Sequence, residues 1–143
     1  MQAELSYGKI QRGVFMSYSI KEVESRTNIS AYVLRYYEKE GLLPHVQRSK
    51  GGIRCYTDAD LDLLGLIGCL KKTGMSLKDI KTFVQLQEQG PSTLRQRCSI
   101  LKDRQKAILE SMEEMKENYE KVNHKLDVYT ALLREYEENG EGR

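Results

Sequence analysis

Ser30-Ala-Tyr-Val-Leu-Arg-Tyr-Tyr-Glu-Lys-Glu-Gly-Leu-Leu-Pro44, continued by His45-Val-Gln-Arg-Ser-Lys-Gly-Gly-Ile-Arg-Cys-Tyr56, is the stretch on which the fold turns. Its first half has the marks of a short helix. Ser30 can cap it, Val33, Leu34, Tyr37 and Leu42 recur at helical spacing, and Gly41 stands where a left-handed residue ends a helix. Pro44 then prevents the helix from continuing. Beyond it, Ser49-Lys50-Gly51-Gly52 separates Val46-Gln47-Arg48 from Ile53-Arg54-Cys55-Tyr56 as the loop of a hairpin does. A helix carrying Arg and Tyr, followed by a hairpin carrying Arg48, Lys50 and Arg54, is the arrangement that a winged helix-turn-helix presents to DNA.

Working outward toward the N-terminus, Ser19-Ile-Lys-Glu22 reads as a capping box that starts a helix near Ile20, with Val23 on its apolar side. Thr27-Asn28-Ile29 turns that helix into the Ser30 helix, which makes the pair a helix-turn-helix. Residues 1–15 show no clear period, and they read as a leader or an added remnant ahead of the domain. Toward the C-terminus, Thr57-Asp58-Ala59-Asp60 repeats the capping pattern and opens a helix bearing Leu61, Leu64, Ile67 and Leu70 that stops at Gly74. Ser76-Leu-Lys-Asp79 opens the next, with Leu77, Ile80, Phe83, Val84 and Leu86 toward the core, and Gly90 closes it. Residues 16–90 therefore form one small unit of four helices and a hairpin.

From Ser92 the pattern changes. Leu94, Cys98, Leu101, Gln105, Ile108, Met112, Met115, Tyr119, Val122, Leu126, Tyr129, Leu133 and Tyr136 alternate steps of four and three, and no Gly or Pro intervenes before Gly140. This is a heptad seam. Residues 91–139 are accordingly expected to form a coiled-coil dimerisation helix, with Leu94, Leu101, Ile108, Met112, Met115, Tyr119, Val122 and Leu126 as its contacts and residues 140–143 as a disordered tail. An unbroken helix of this extent reaches roughly 65–70 Å, which a single small domain cannot cover, so a partner helix is implied. Period alone leaves one alternative open, a break near Asn118 to His124 with the two halves folded on each other.

The bulk properties narrow the classes. A formal net charge of +2 across 143 residues does not announce a nucleic-acid binder, so the inference rests on where charge lies. No apolar run approaches the roughly 20 residues that span a bilayer, and nothing near Met1 resembles a secretory signal, so a cytoplasmic protein without a membrane partner is expected. Cys55, Cys69 and Cys98 are an odd number without a close pair, which argues against a disulfide framework or a zinc ribbon. His45 and His124 are too far apart in sequence to suggest a metal site, and no phosphate loop, paired carboxylates or nucleophile motif is present; neither an enzyme nor a resident cofactor or metal is expected.

The text Leu34-Arg35-Tyr36-Tyr37-Glu38, Gly41-Leu42, Gly52-Ile53-Arg54-x-Tyr56 and Gly74-Met75-Ser76-Leu77 closely resembles the MerR family of transcription regulators over residues 16–90. The resemblance implies Tyr32, Arg35, Tyr36, Arg48 and Arg54 as the DNA-contacting set. It further implies that Tyr37 reaches phosphate with its hydroxyl while its ring packs, that Tyr56 braces the wing, and that Lys71, Lys72 and Lys78 form an outer clamp on phosphates. With Ser30 at the helix start and Lys50 in the hairpin loop, these are the candidate DNA-binding residues. Helical spacing sorts the Ser30 helix in the same way, except that it turns Tyr37 toward the core with Val33 and Leu34, leaving Tyr32, Arg35 and Tyr36 on the opposite side. For a lysine on such a surface the alternative is simple solvation.

Relatives of this kind bind as homodimers to double-stranded promoter DNA and distort it so that RNA polymerase can use the promoter, which makes an activator the expectation. Metal-sensing relatives place paired cysteines at and beyond the start of the dimer helix, a pattern Cys98 alone does not supply. Ile67-Gly68-Cys69-Leu70-Lys71-Lys72 resembles the branch of the family that answers aldehydes and other electrophiles, and implies Cys69 as the effector-sensing residue in a stress response. In a helix Cys69 leans over Gly65, so Gly65 and Gly68 are expected to provide space beside the thiol, while Lys72 favours the thiolate. The other readings are that Cys69 is a small buried hydrophobe in a regulator without thiol sensing, or that the protein is an architectural, excisionase-like DNA bender.

Overall fold

The computed structural model describes residues 17–140, so the readings for residues 1–15 and for Met16 lie outside it, as does the tail beyond Gly140. Helices run over Ile20–Thr27 (α1), Ala31–Lys39 (α2), Asp58–Lys72 (α3) and Leu77–Glu88 (α4), a two-stranded hairpin pairs Gln47–Arg48 (β1) with Arg54–Cys55 (β2), and a 3₁₀ turn at Pro91–Thr93 leads into a 45-residue helix, Leu94–Glu138 (α5). The fold is thus mainly helical, a winged helix-turn-helix followed by one long helix.

Local chemistry sets the boundaries. Ser30 Oγ accepts from the Val33 amide, Ser76 Oγ from Asp79, and Thr57 Oγ1 from Asp60, whose own carboxylate accepts from the Thr57 amide to complete a capping box. At Ser19 the box is only half made. The Glu22 amide donates to Ser19 Oγ, but the Glu22 carboxylate takes the Ser19 hydroxyl rather than the Ser19 amide. Two helices end by the same device: after α2 the Leu42 amide reaches back to the Tyr37 carbonyl and Gly41 to Glu38, and after α3 Met75 reaches Leu70 and Gly74 reaches Lys71. This is the Schellman pattern, in which the residue at C′ must be left-handed; Gly41 and Gly74, at φ +80° and +92°, supply it without a Cβ penalty. The apolar residue that follows each glycine, Leu42 or Met75, is buried together with Tyr37 or Leu70, the residue its amide reaches.

The core gathers Val23, Leu34, Tyr37, Leu42, Leu43, Tyr56, Leu64, Ile67, Leu70, Ile80, Phe83 and Val84; on α3 Leu63 is buried where Leu61 was expected, and Leu61 and Leu77 are only half-buried. The hairpin is shorter than the sequence suggests. Gln47 pairs with Cys55 and Arg48 with Arg54, whereas Tyr56, instead of extending the hairpin, exchanges backbone hydrogen bonds with Tyr18 in both directions, at 2.7 and 2.9 Å. The chain just ahead of α1 therefore anchors the base of the wing. The Tyr18 hydroxyl donates to Asp58 Oδ1 at 2.8 Å, and Arg26 stacks 4.6 Å from its ring centroid.

The first compact unit extends to Arg97. Thr93, buried, places its hydroxyl 2.5 Å from the Leu86 carbonyl and 2.9 Å from that of Gly90, and Arg97 donates to both Thr93 Oγ1 and the Gly90 carbonyl at 3.1 Å. The second unit, from Cys98, is the rest of α5. It runs without a break through Asn118 to His124, which removes the folded-back alternative, and none of its residues is buried. At 1.5 Å per residue the whole of α5, Leu94–Glu138, is roughly 68 Å long. Among the described residues no helix is long and apolar enough to cross a membrane.

Candidate nucleic-acid interface

Capped by Ser30, α2 presents two sides whose chemistry differs. Leu34 and Tyr37 turn into the core, while Tyr32, Arg35 and Tyr36 are exposed, Tyr32 to 78 % and Tyr36 to 42 %. Exposed tyrosines beside an arginine are unusual on a surface that only meets water, and Arg offers a planar fork of donors for phosphate or guanine edges. Tyr37 is 4 % exposed, as its helical phase requires, with Lys71 Nζ 6.0 Å from its ring centroid.

Beside α2 lies the wing. Glu38, on the same helix, accepts from Arg54 Nε at 2.5 Å and from Arg48 Nη2 at 3.4 Å, and Arg48 also donates from Nη1 to the Gly52 carbonyl at 3.1 Å. The two wing arginines are thus tied to the helix rather than standing free. Lys50 and Ile53 are exposed around the loop. Tyr56, named above as a DNA-binding candidate, is not at the surface: it is 0 % exposed, because its backbone pairs with Tyr18 and its ring fills the base of the wing. The Tyr56 hydroxyl has no hydrogen-bond partner among the described residues, and burial, followed by the nearby Glu38 carboxylate, pushes its pKa above 10.0.

Lys71, Lys72 and Lys78 are exposed. The structure brings Lys78 beside α2, in a groove lined by Tyr36, Glu40, Leu42, Leu77, Lys78 and Lys81. Lys81 escaped the sequence reading, although spacing along α4, one turn from Lys78, could have flagged it; Glu38 was read only as part of the family-like text, because its wing partners lie 10 and 16 residues away. Cys69 is exposed, not buried, so the reading of it as a core hydrophobe does not hold. A Cβ built on Gly65 or Gly68 would meet nothing within 4 Å, so these glycines clear no neighbouring side chain from the thiol; the surface there is open already. Cys55 is half-buried in β2 and Cys98 exposed on α5. No cluster of three metal-ligating residues occurs among the described residues.

A helix-turn-helix with a basic wing, carrying exposed Arg and Tyr on its second helix, defines a DNA-binding protein of the winged class. Residues 18–87 match the MerR HTH family of regulatory proteins. The chain is 42 % identical over 114 residues to an uncharacterized HTH-type transcriptional regulator of Haemophilus influenzae, spanning 80 % of this chain and 84 % of that one. It is 38 % identical over 138 residues to YyaN, an uncharacterized HTH-type transcriptional regulator of Bacillus subtilis, covering 85 % and 97 %. Among solved structures it resembles HiNmlR, a MerR family regulator lacking the sensor domain and bound to promoter DNA, with TM-score 0.76 and 42 % identity over 80 % of this chain and 91 % of that one. The protein belongs to the MerR family and is a DNA-binding transcriptional regulator, not an enzyme.

Proposed function

We propose that two copies of this chain pair along α5 into a homodimer, and that the α2 helices and wings of both copies engage one promoter duplex and distort it so that RNA polymerase can use it. The observation that carries this reading is the coexistence of a DNA-type surface on the first unit with an unburied apolar seam on α5. Met112, Met115, Tyr119, Val122 and Leu126 are 60–69 % exposed in the single chain, a loss that a second helix reverses at about 1.5–3 kcal/mol for each large side chain fully covered. Tyr32, Arg35 and Tyr36 supply groove contacts, Arg48, Lys50 and Arg54 the wing contacts, and Ser30, Lys71, Lys72 and Lys78 phosphate contacts, from a protein that works in the cytoplasm. A long helix of this kind sets the reading apart from a compact architectural DNA bender. The test is a gel-shift assay on a duplex recovered by binding-site selection: Arg35→Ala abolishes the specific complex, and retention of full affinity overturns the assignment.

A second reading concerns the effector. Cys69 is an exposed thiol with Lys72 one turn further along α3. Its thiolate adds to the electrophilic carbon of an aldehyde, forming a C–S bond while the carbonyl oxygen takes a proton. The protein HiNmlR lacks a sensor domain, and a thiol on the head requires none. Cys69→Ser then still binds promoter DNA but no longer activates transcription in vitro when aldehyde is added. An undiminished response overturns the sensing role of Cys69.

A further inference from the structure

A carboxylate on a surface that meets DNA repels phosphate, so Glu38 weakens binding unless it performs some other task. Its surroundings show one. The two oxygens of Glu38 are shared between the two strands of the wing: Oε2 lies 2.5 Å from Arg54 Nε on β2 and Oε1 lies 3.4 Å from Arg48 Nη2 on β1. Arg48 and Arg54 sit directly opposite each other in the ladder, so one acidic side chain spans the hairpin. The contact to Arg54 is largely withdrawn from water, with the side chains of Glu38 and Arg54 only 21 % and 26 % exposed.

The wing needs such a brace. Strands of two residues each are far below the length that holds a hairpin in place by itself, and besides Glu38 the wing is tied at its base by the Tyr18–Tyr56 backbone bridge. By taking Arg54 through Nε, Glu38 leaves the two terminal nitrogens of that guanidinium uncommitted to any described residue. Arg48 is likewise left with its Nε, since Nη1 and Nη2 are held by Gly52 and Glu38.

We infer that Glu38 is a positioning residue for DNA recognition: it locks the wing to α2, so that the helix and both wing arginines meet a duplex in one fixed geometry. The inference rests on the reading of α2 and the wing as the DNA-contacting surface. Its consequence is specificity. A wing held in register favours the sequence whose shape fits it, whereas a loose wing still finds phosphates anywhere.

Two substitutions separate position from charge. Glu38→Gln keeps the length and removes the charge; Glu38→Asp keeps the charge and shortens the reach. Full-length protein is titrated against a duplex recovered by binding-site selection and against a scrambled duplex of equal length, with matched thermal unfolding midpoints as the check on folding. The expected result is a fall of about tenfold or more in the ratio of the two affinities for both variants, with scrambled binding by Glu38→Gln as tight as the parent's or tighter. If Glu38→Gln tightens both duplexes equally and Glu38→Asp behaves as the parent, the carboxylate acts only through its charge and the positioning role is overturned. Arg35→Ala is run alongside. If it keeps the parent's ratio, the DNA-contact reading itself fails, whereas loss of the complex in Arg35→Ala with unchanged Glu38 variants removes the positioning role alone.

Discussion

Val23, Leu34, Leu64 and Ile80 in the head are closed off by the chain's own helices, whereas Met115 and Tyr119 of α5, spaced just as regularly, stand 69 % and 67 % exposed. Both regions obey the same helical period; only the first has neighbours to turn it toward. The difference shows that an apolar stripe states a demand for burial without stating who meets it. In the first unit the demand is met within the chain, through short links that join successive helices at Asn28 and Gly74. In α5 an uninterrupted 45 residues leave nothing to fold back, and in the proposed dimer burial depends on the concentration of a second copy.

The largest effect is expected from attacking the seam. A double substitution, Met115→Glu with Val122→Glu, puts two uncompensated charges where a second helix would sit and weakens self-association by about two orders of magnitude or more, read by sedimentation equilibrium. The head's unfolding transition stays in place. A parent protein that is strictly monomeric at micromolar concentration would break the comparison, since α5 would then stand alone. Next comes the head's interior. Leu64→Ala empties a buried position and costs about 2–5 kcal/mol in chemical denaturation, with self-association through α5 retained.

Smaller effects sharpen the picture of the head. Thr57→Ala removes the hydroxyl that caps α3 and weakens the box holding the buried Asp60 carboxylate, a loss of about 1 kcal/mol in the same assay. Tyr56→Phe deletes a buried hydroxyl with no partner among the described residues, so at neutral pH stability changes by less than about 1 kcal/mol and is expected to rise. Its signature lies at alkaline pH. The Tyr56 phenol is raised above 10.0 by burial and by Glu38, and that of Tyr18 first by its hydrogen bond to Asp58. A folded-state pKa above the unfolded value means that the neutral phenol is the favoured form. That contribution is complete below about pH 10 and is lost as pH climbs through the folded values. Tyr56→Phe therefore shows a shallower alkaline decline than the parent, and an identical decline would show that Tyr56 does not titrate with unfolding.

Much of this was legible along the chain because it is local. Caps at Ser30, Thr57 and Ser76 bond to amides three residues on, the glycines at 41, 74 and 90 take left-handed φ where a helix ends, and the heptad steps need only consecutive residues. The exposed Tyr32, Arg35 and Tyr36 followed from helical phase alone, and the same phase put Tyr37 in the core. Tyr56 was expected to brace the wing, but the means were not legible: Tyr18, 38 positions earlier, pairs with its backbone, and the ring is buried. Of the two readings of Cys69 the buried one fails, because α3's stripe reaches Leu70 and Ile67 but passes it by, leaving the thiol exposed.

The sequence by itself determined the order of the elements, the helix ends, the long apolar seam and the basic, tyrosine-bearing character of the helix and wing, since each depends on residues within a turn or two of one another. Only the tertiary structure decided that Tyr18 anchors the wing, that Tyr56 is interior, that Thr93 and Arg97 carry the first unit into α5, and that Glu38 holds both wing arginines. These pairings join elements through space, and their strength comes from water being excluded around them, a condition that exists only once the chain has folded.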